Sequence, residues 1–303
     1  MNRITSAVSG LLLSIAVLGQ TALAQTDPET ITVVESELVV LNATVTTADG
    51  KRAAGLKREQ FKVYEDGKEQ KIEFFLTEKT PFAAVILLDT SGSMEQRVSL
   101  ARSAAITFLE GLRPDDVAAI YNFDSKVTLV QDFSATRDLV DGFFDLKADG
   151  MTVLNDAIVS AAKVLAAREE KRRAIIVLSD GADTRSAASA EKALKAAGEA
   201  NATIYTVDMS SIDQNGRERF QNQGILKNFA EKSGGRFVAT PGGNALAAAF
   251  KSIVQELGVQ YTLGYSPNSP VRDGKWRAIE LKLDRPELIV RTRKGYHAPK
   301  SKN

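Results

Sequence analysis

The sequence has no cysteine and only one histidine, His297, among its 303 residues. Zinc sites, thiol nucleophiles and Ser-His-Asp triads need these residue types, so most common hydrolase mechanisms have too few side chains to be built. A charge of one sign is also lacking, because 39 Lys and Arg side chains stand against 38 Asp and Glu. Phosphate binding needs concentrated basic residues, so the net charge of +1 does not indicate a nucleic-acid partner.

Long hydrophobic runs are scarce, and the main one lies near the N-terminus. Arg3 precedes an apolar region from about 7 to 18, and Ala-Leu-Ala follows at 22–24. This layout predicts a secretory signal peptide over 1–24, so we expect export to the periplasm or the exterior. An uncleaved membrane anchor is the alternative, although the apolar region is short and is broken by a serine and a glycine. After removal of the signal we expect no membrane span.

The chain is organised around Phe82 to Met94, where a continuous apolar run ends on Asp89. A short run of this kind with β-branched residues predicts a strand that is buried on both faces. Ser91 and Ser93 follow, and then a helical pattern begins. Three oxygen donors are therefore gathered in one turn between a strand and a helix, and this turn is a candidate cation site.

Two further segments carry oxygen donors at similar places. Thr152 precedes a helical pattern, and a second buried strand ends on Asp180. In open α/β sheets ligands collect beyond the carboxyl ends of the strands, so the three segments can converge on one point. Carboxylate and hydroxyl oxygens without His or Cys select a hard cation, Mg²⁺ first and then Mn²⁺ or Ca²⁺. The alternative is that Asp89 and Asp180 only cap the helices that follow them, which explains either segment alone but not all three together.

The Asp-x-Ser-x-Ser pattern after a hydrophobic strand, with the later Thr152 and Asp180 segments in the same order, resembles the metal-ion-dependent adhesion site of von Willebrand factor type A (VWA) domains. The resemblance covers about 80–258, and Met151 departs from it because many relatives have a glycine there. It implies a Rossmann-like, doubly wound, mostly parallel sheet. It also implies that one position on the metal is left for an acidic group of a protein partner. The metal ligands implied by the resemblance are Asp89, Ser91, Ser93, Thr152 and Asp180. The three hydroxyls would bind directly, and the two carboxylates directly or through water.

Strand and helix patterns alternate over 80–258, as in an α/β domain, whereas the flanks read as β-strands. An Asp-Gly turn at 66–67 predicts a hairpin. We expect both flanks to form one sandwich-like unit into which the central domain is inserted, and we expect a projecting loop over Ser210 to Gln223. The predicted divisions are a signal peptide (1–24), an N-terminal β region (25–79), the VWA domain (80–258), a C-terminal β region (259–298) and a tail (299–303). The predicted helices are one from Met94 to Leu112 and others near 154–165, 187–200, 224–233 and 245–257.

The flanks also resemble bacterial exported proteins of the acidobacterial-type von Willebrand factor A-related group, through Val-Tyr-Glu-Asp-Gly-Lys before the central domain and Val-Arg-Thr-Arg-Lys-Gly-Tyr-His after it. We therefore expect a non-enzymatic, exported adhesion or protein-interaction module that uses Mg²⁺. A structural or assembly factor of the cell envelope, with a metal used for stability, is the alternative. A metal-dependent hydrolase is less favoured, because Ser91 interrupts the likeness to the Asp-Thr-Gly of aspartic proteases and the motif has no second copy.

Overall fold

A computed structural model describes residues 38–77, 80–136, 138–210, 216–239, 243–268 and 271–300. The predicted signal peptide lies outside these residues. No helix in the described ranges combines the length and the apolar character needed to cross a bilayer. The strands, in chain order, are β1 (Val39–Thr47), β2 (Phe61–Glu65), β3 (Lys68–Gln70), β4 (Phe74–Leu76), β5 (Phe82–Asp89), β6 (Val117–Phe123), β7 (Val127–Ser134), β8 (Arg172–Ser179), β9 (Ala202–Asp208), β10 (Phe237–Ala239), β11 (Tyr261–Tyr265), β12 (Trp276–Leu283), β13 (Leu288–Arg291) and β14 (Gly295–His297). The helices are α1 (Val98–Glu110), α2 (Leu154–Ala166), α3 (Ala190–Glu199), α4 (Gly216–Ser233) and α5 (Asn244–Leu257).

A six-stranded sheet with the order β10-β9-β8-β5-β6-β7 forms the centre of the fold. All neighbouring strands are parallel except β6 and β7. Every residue of β5 is buried, because α1 and α5 cover one face of the sheet and α2, α3 and α4 cover the other. This arrangement explains why the β5 sequence is apolar without alternation, and it confirms the predicted doubly wound α/β class.

Two four-stranded sheets are built from the flanks of the chain, with the orders β13-β1-β11-β4 and β14-β12-β2-β3. Each combines strands that precede the central sheet with strands that follow it, since β1 pairs with β11 and β2 pairs with β12. Their inner faces share one apolar cluster that includes Leu41, Val63, Tyr261 and Leu281. The expected β structure from both flanks is therefore present, while the proposed domain boundaries remain a prediction.

Arg172, which is fully buried at the start of β8, binds the two chain segments that connect the flanking sheets to the central sheet. Its guanidinium donates to the carbonyl oxygen of Thr77 at 2.5 Å and to that of Gln260, and also to Thr262 Oγ1 at 3.1 Å. Thr77 lies where the chain enters the central part, and Gln260 lies where it returns. The Arg172 guanidinium therefore donates to main-chain oxygens of both segments that connect the flanking sheets to the central sheet.

Two predicted elements differ from the structure. The helix predicted from Met94 begins only at Val98, because residues 92–94 form a 3-10 turn. The loop predicted over Ser210 to Gln223 is wrong in its second half, since α4 begins at Gly216, and 211–215 lie outside the described residues. No apolar stripe marks this first part of α4, where Phe220 is 77% exposed. Polar contacts such as Gln223 Nε2 to Asp208 Oδ2, at 2.6 Å, hold it instead.

A third difference is β14, which the sequence analysis did not predict. The strand has three residues and begins with a glycine, so it shows no alternation. It forms because Gly295 pairs with Ala278 of β12 and lies under the Trp276 ring, which leaves no room for a side chain.

Candidate metal centre

The first predicted segment forms a tight turn at the carboxyl end of β5. Asp89 Oδ1 accepts hydrogen bonds from the Ser91 main-chain N–H at 2.9 Å and from Ser91 Oγ at 2.6 Å. Ser91 Oγ is also 3.2 Å from Ser93 Oγ. The side chains of the Asp-x-Ser-x-Ser pattern therefore lie together on one side of the turn.

The second segment, which carries Thr152, folds against this turn. The Asp149 N–H donates to the Thr90 carbonyl oxygen at 2.8 Å, and the Gly92 N–H donates to the Gly150 carbonyl oxygen at 3.2 Å. Gly150 has a φ of 77°, and a Cβ there would lie 2.5 Å from Ser125 Oγ. The positive φ favours glycine, and the absence of a side chain lets the segment lie against Ser125 of the β6–β7 turn.

The third segment is brought to the site by the pairing of β5 with β8, in which Leu88 lies opposite Leu178. Ser179 Oγ donates to Asp89 Oδ2 at 2.6 Å and accepts a hydrogen bond from the Gly181 N–H at 3.0 Å. Asp180 Oδ1 accepts from the Ala182 N–H at 3.2 Å. The three segments thus meet at one edge of the sheet, and their metal-ligand role remains a prediction.

Ser179 is a residue of this site that the sequence analysis passed over. It is fully buried and links the Asp89 carboxylate to the turn that carries Asp180. The available signal was a hydroxyl at the end of an otherwise apolar strand. Its partner is 90 positions away, so local periodicity could not reveal the contact.

Burial and charge act together on the Asp89 carboxyl group. Desolvation is the largest effect and raises its pKa, and the negative charge of Asp180 raises it further. Hydrogen bonds from Ser179 and Ser91 lower it, and the balance brings the pKa of Asp89 from 3.8 to about 6. The ionised form is therefore costly in the metal-free protein.

The donor set fits a small hard cation. Within the described ranges no group of three or more His, Cys, Asp or Glu side chains is placed to hold a metal, so a cation here would depend on hydroxyl oxygens as well. Asp89, Ser91, Thr152 and Asp180 are buried, whereas Ser93 is exposed. Two neighbouring carboxylates with hydroxyl groups beside them are suited to Mg²⁺ or Mn²⁺.

Other carboxylates near this edge have main-chain partners. Asp124 accepts from the Lys126 N–H at 3.1 Å and so stabilises the turn between β6 and β7. Asp208 accepts from the Ser210 N–H at 2.9 Å and from Gln223. These contacts stabilise the two strand ends. Neither residue is among the predicted ligands.

Comparison with known proteins finds a family match in the central part of the chain. Residues 84–182 match the family model of the von Willebrand factor type A domain. No curated protein matches the sequence. Among solved structures, the pilus adhesin SpaC from Lactobacillus rhamnosus GG is 11% identical, with 81% of this chain and 49% of that chain covered and a TM-score of 0.50.

Two further solved structures match parts of the chain at low identity. A von Willebrand factor type A protein from Catenulispora acidiphila is 13% identical, with 89% of this chain and 76% of that chain covered and a TM-score of 0.49. The PilB minor pilin from Streptococcus sanguinis is 14% identical, with 59% of this chain covered and a TM-score of 0.47. This chain spans 62% of the length of that pilin.

Proposed function

We propose that this protein, which contains a von Willebrand factor type A domain, binds an acidic group of a protein partner through a divalent cation. The cation would be held by Asp89, Ser91, Ser93, Thr152 and Asp180. The observation that supports this most strongly is the meeting of three distant segments at one sheet edge. Hydrogen bonds from Asp149 to Thr90 and from Ser179 to Asp89 join them.

The charge of the donor set favours an acidic partner. Two carboxylates and three neutral hydroxyls do not over-neutralise a divalent cation, so the ion remains attractive to a further carboxylate. Ser93 is exposed, and Met151 beside Thr152 is 49% exposed. A partner therefore has a way to the site from this side.

The fold supports an interaction role in general terms, since von Willebrand factor type A folds commonly mediate protein–protein interaction and adhesion, and one similar structure is a pilus adhesin. We extend this to a non-enzymatic, exported adhesion or interaction module. The proposal of export rests on the signal-peptide pattern over 1–24.

The first test measures metal binding directly. Isothermal titration of the full chain with MgCl₂ and MnCl₂ should show uptake that is lost in Asp89→Ala and Thr152→Ala. Asp124→Asn is the matched control, because Asp124 is also a carboxylate beyond a strand end but caps the β6–β7 turn. Absence of Mg²⁺ and Mn²⁺ uptake by the unmodified chain would end the proposal.

The second test concerns the partner. Immobilised full chain should capture a protein from envelope extract in Mg²⁺, but not in EDTA and not as the Asp89→Ala variant. The purified partner should then lose binding when one of its Asp or Glu residues is changed to the amide. Metal uptake that raises the unfolding temperature without any metal-dependent partner would favour the structural role instead. Metal-dependent turnover of a phosphoester or peptide would favour an enzyme.

A further inference from the structure

A group of hydrogen bonds joins the Thr152 segment to the loop that follows Asp180, and we infer that it positions these two segments for the cation. We name this group the latch. The inference rests on the proposed metal site, because it assigns supporting residues to that site. The members of the latch are Thr152, Asp156, Asp183, Thr184 and Ser186.

The latch supplies the N-terminal cap of α2 from a distant part of the chain. The N-cap residue of α2, Val153, has no side-chain acceptor, while the first N–H groups of any helix need one. Asp183 Oδ2 accepts from the Asn155 N–H at 2.8 Å, and Ser186 Oγ accepts from the Asp156 N–H at 3.1 Å. Most helix caps come from a residue next to the helix, whereas this cap comes from a segment about 30 positions away. It also ties α2 to the loop beyond β8.

The helix also accepts hydrogen bonds from the loop. The Asp156 carboxylate accepts from the N–H groups of Ala187 and Ala188, both at 2.9 Å. Asp183 Oδ1 accepts from the Ser186 N–H at 3.0 Å, which closes the loop on itself. The helix start and the loop therefore determine each other's position.

The main chain of Thr152 is held directly by the same loop. Its N–H donates to Thr184 Oγ1 at 3.0 Å. Its carbonyl oxygen accepts from the N–H groups of Thr184 at 3.0 Å and of Arg185 at 3.1 Å. The main chain of Thr152, a predicted metal ligand, is thus held through both its N–H and its carbonyl oxygen. The segment that holds it carries another predicted ligand, Asp180.

These contacts make Asp183 and Thr184 positioning residues. Groups that orient metal ligands from outside typically change metal affinity 10- to 100-fold when they are removed. A cap that served α2 alone would stabilise the helix without affecting the metal. The link between two ligand-bearing segments is what distinguishes the latch from such a cap.

The test uses uncharged substitutions, so that loss of a hydrogen bond is not confused with loss of charge. In the full chain, Thr184→Val removes the acceptor of the Thr152 N–H with little change in shape, and Thr184→Ser keeps it. Ser189→Ala is the matched control, because Ser189 caps α3 through the Lys192 N–H at 3.2 Å. We expect Thr184→Val to weaken Mg²⁺ binding about tenfold, and the other two variants to stay within about twofold of the unmodified chain.

Hydrogen exchange on the metal-free protein gives a second, independent measurement. Thr184→Val should speed exchange of the Thr152 N–H, whereas Ser189→Ala should not. Unchanged exchange at Thr152, or unchanged Mg²⁺ affinity in a chain that does bind Mg²⁺, would overturn the inference. If the unmodified chain bound neither Mg²⁺ nor Mn²⁺, the proposed function and the positioning role would both fail. Faster exchange in Thr184→Val would then show the latch as a purely structural link.

Discussion

Replacing Asp89 by asparagine tests the prediction that this carboxylate destabilises the metal-free protein and becomes useful only with a cation. Asparagine has nearly the same shape, so the change removes charge without opening a cavity. One hydrogen bond is disturbed, because Asp89 now accepts from both Ser179 and Ser91, and the amide nitrogen of asparagine cannot accept. The two effects oppose each other, and their magnitudes decide the outcome.

The pKa of Asp89 gives the larger of the two magnitudes. It rises from 3.8 to about 6 on folding, chiefly through burial. At about 1.4 kcal/mol for each tenfold change in proton affinity, this difference costs the metal-free protein about 3 kcal/mol at pH 7. Because the folded value is the higher one, the stabilisation from this group is complete below about pH 4 and is lost as the pH rises through about 6. A hydrogen bond lost from the ionised carboxylate costs about 1 kcal/mol. At pH 4 the carboxyl group of Asp89 is protonated and donates from one oxygen, so the asparagine variant loses no acceptor there.

The metal-free Asp89→Asn variant should therefore be about 2 kcal/mol more stable than the unmodified chain at pH 7, and about equally stable at pH 4. Urea unfolding of both proteins in EDTA, at several pH values, measures this difference directly. Mg²⁺ at 100 times its dissociation constant should stabilise the unmodified chain by about 2.7 kcal/mol and leave the variant unchanged. A variant that is less stable than the unmodified chain at pH 7 in EDTA would refute the reasoning about the buried charge.

Three further substitutions follow from the same structure. Ser179→Ala removes a hydrogen bond that lowers the pKa of Asp89, so Mg²⁺ titrations at pH 6 to 8 should show weaker binding, by about tenfold, with the pH midpoint moved upward. Gly181→Ala should lower the free energy of unfolding by at least about 1 to 3 kcal/mol, since φ is 83° and a Cβ would lie 2.5 Å from a main-chain oxygen of α4. The control Gly198→Ala, in α3 with open space around it, should be neutral or stabilising by up to about 1 kcal/mol in the same urea assay. Arg172→Met should cost about 3 kcal/mol or more, measured as a lower midpoint of thermal unfolding, because the buried carbonyl oxygen of Gln260 and the carbonyl oxygen of Thr77 both lose their donor.

The parts of the fold that could be predicted are those in which burial leaves a local mark. The β5 run is apolar at every position because helices cover both of its faces, and that was enough to identify a central strand. The Asp66-Gly67 turn was visible because both residues take a positive φ, of 47° and 78°, and few other residue pairs do so readily. Predictions failed where an element depends on distant partners. The first turns of α4 are held by polar contacts such as that of Gln223 with Asp208, and no apolar stripe marks them.

The candidate site divides in the same way. Asp89 ends one buried strand and Asp180 directly follows another, so the change from apolar to acidic residues identified them. Ser179, Asp183 and Thr184 act through hydrogen bonds that span from 28 to 90 positions, so their neighbours in the sequence do not reveal their partners. The sequence could therefore suggest the cation ligands, but not the residues that position those ligands.

The hydrogen bonds around the site also determine what metal binding should do to the protein. In small zinc domains the metal creates the fold, because the ligands are not gathered before it binds. Here the Asp89 turn contacts Gly150 and Ser179, and Thr152 is fixed by Thr184, through bonds that need no cation. Binding should consequently require little ordering of the chain, and its free energy should come mainly from the attraction between the cation and two carboxylates, of which Asp89 is strongly desolvated. We therefore expect the far-ultraviolet circular dichroism of the protein to stay unchanged on addition of Mg²⁺, while the Asp89 carboxyl group releases its proton near pH 6.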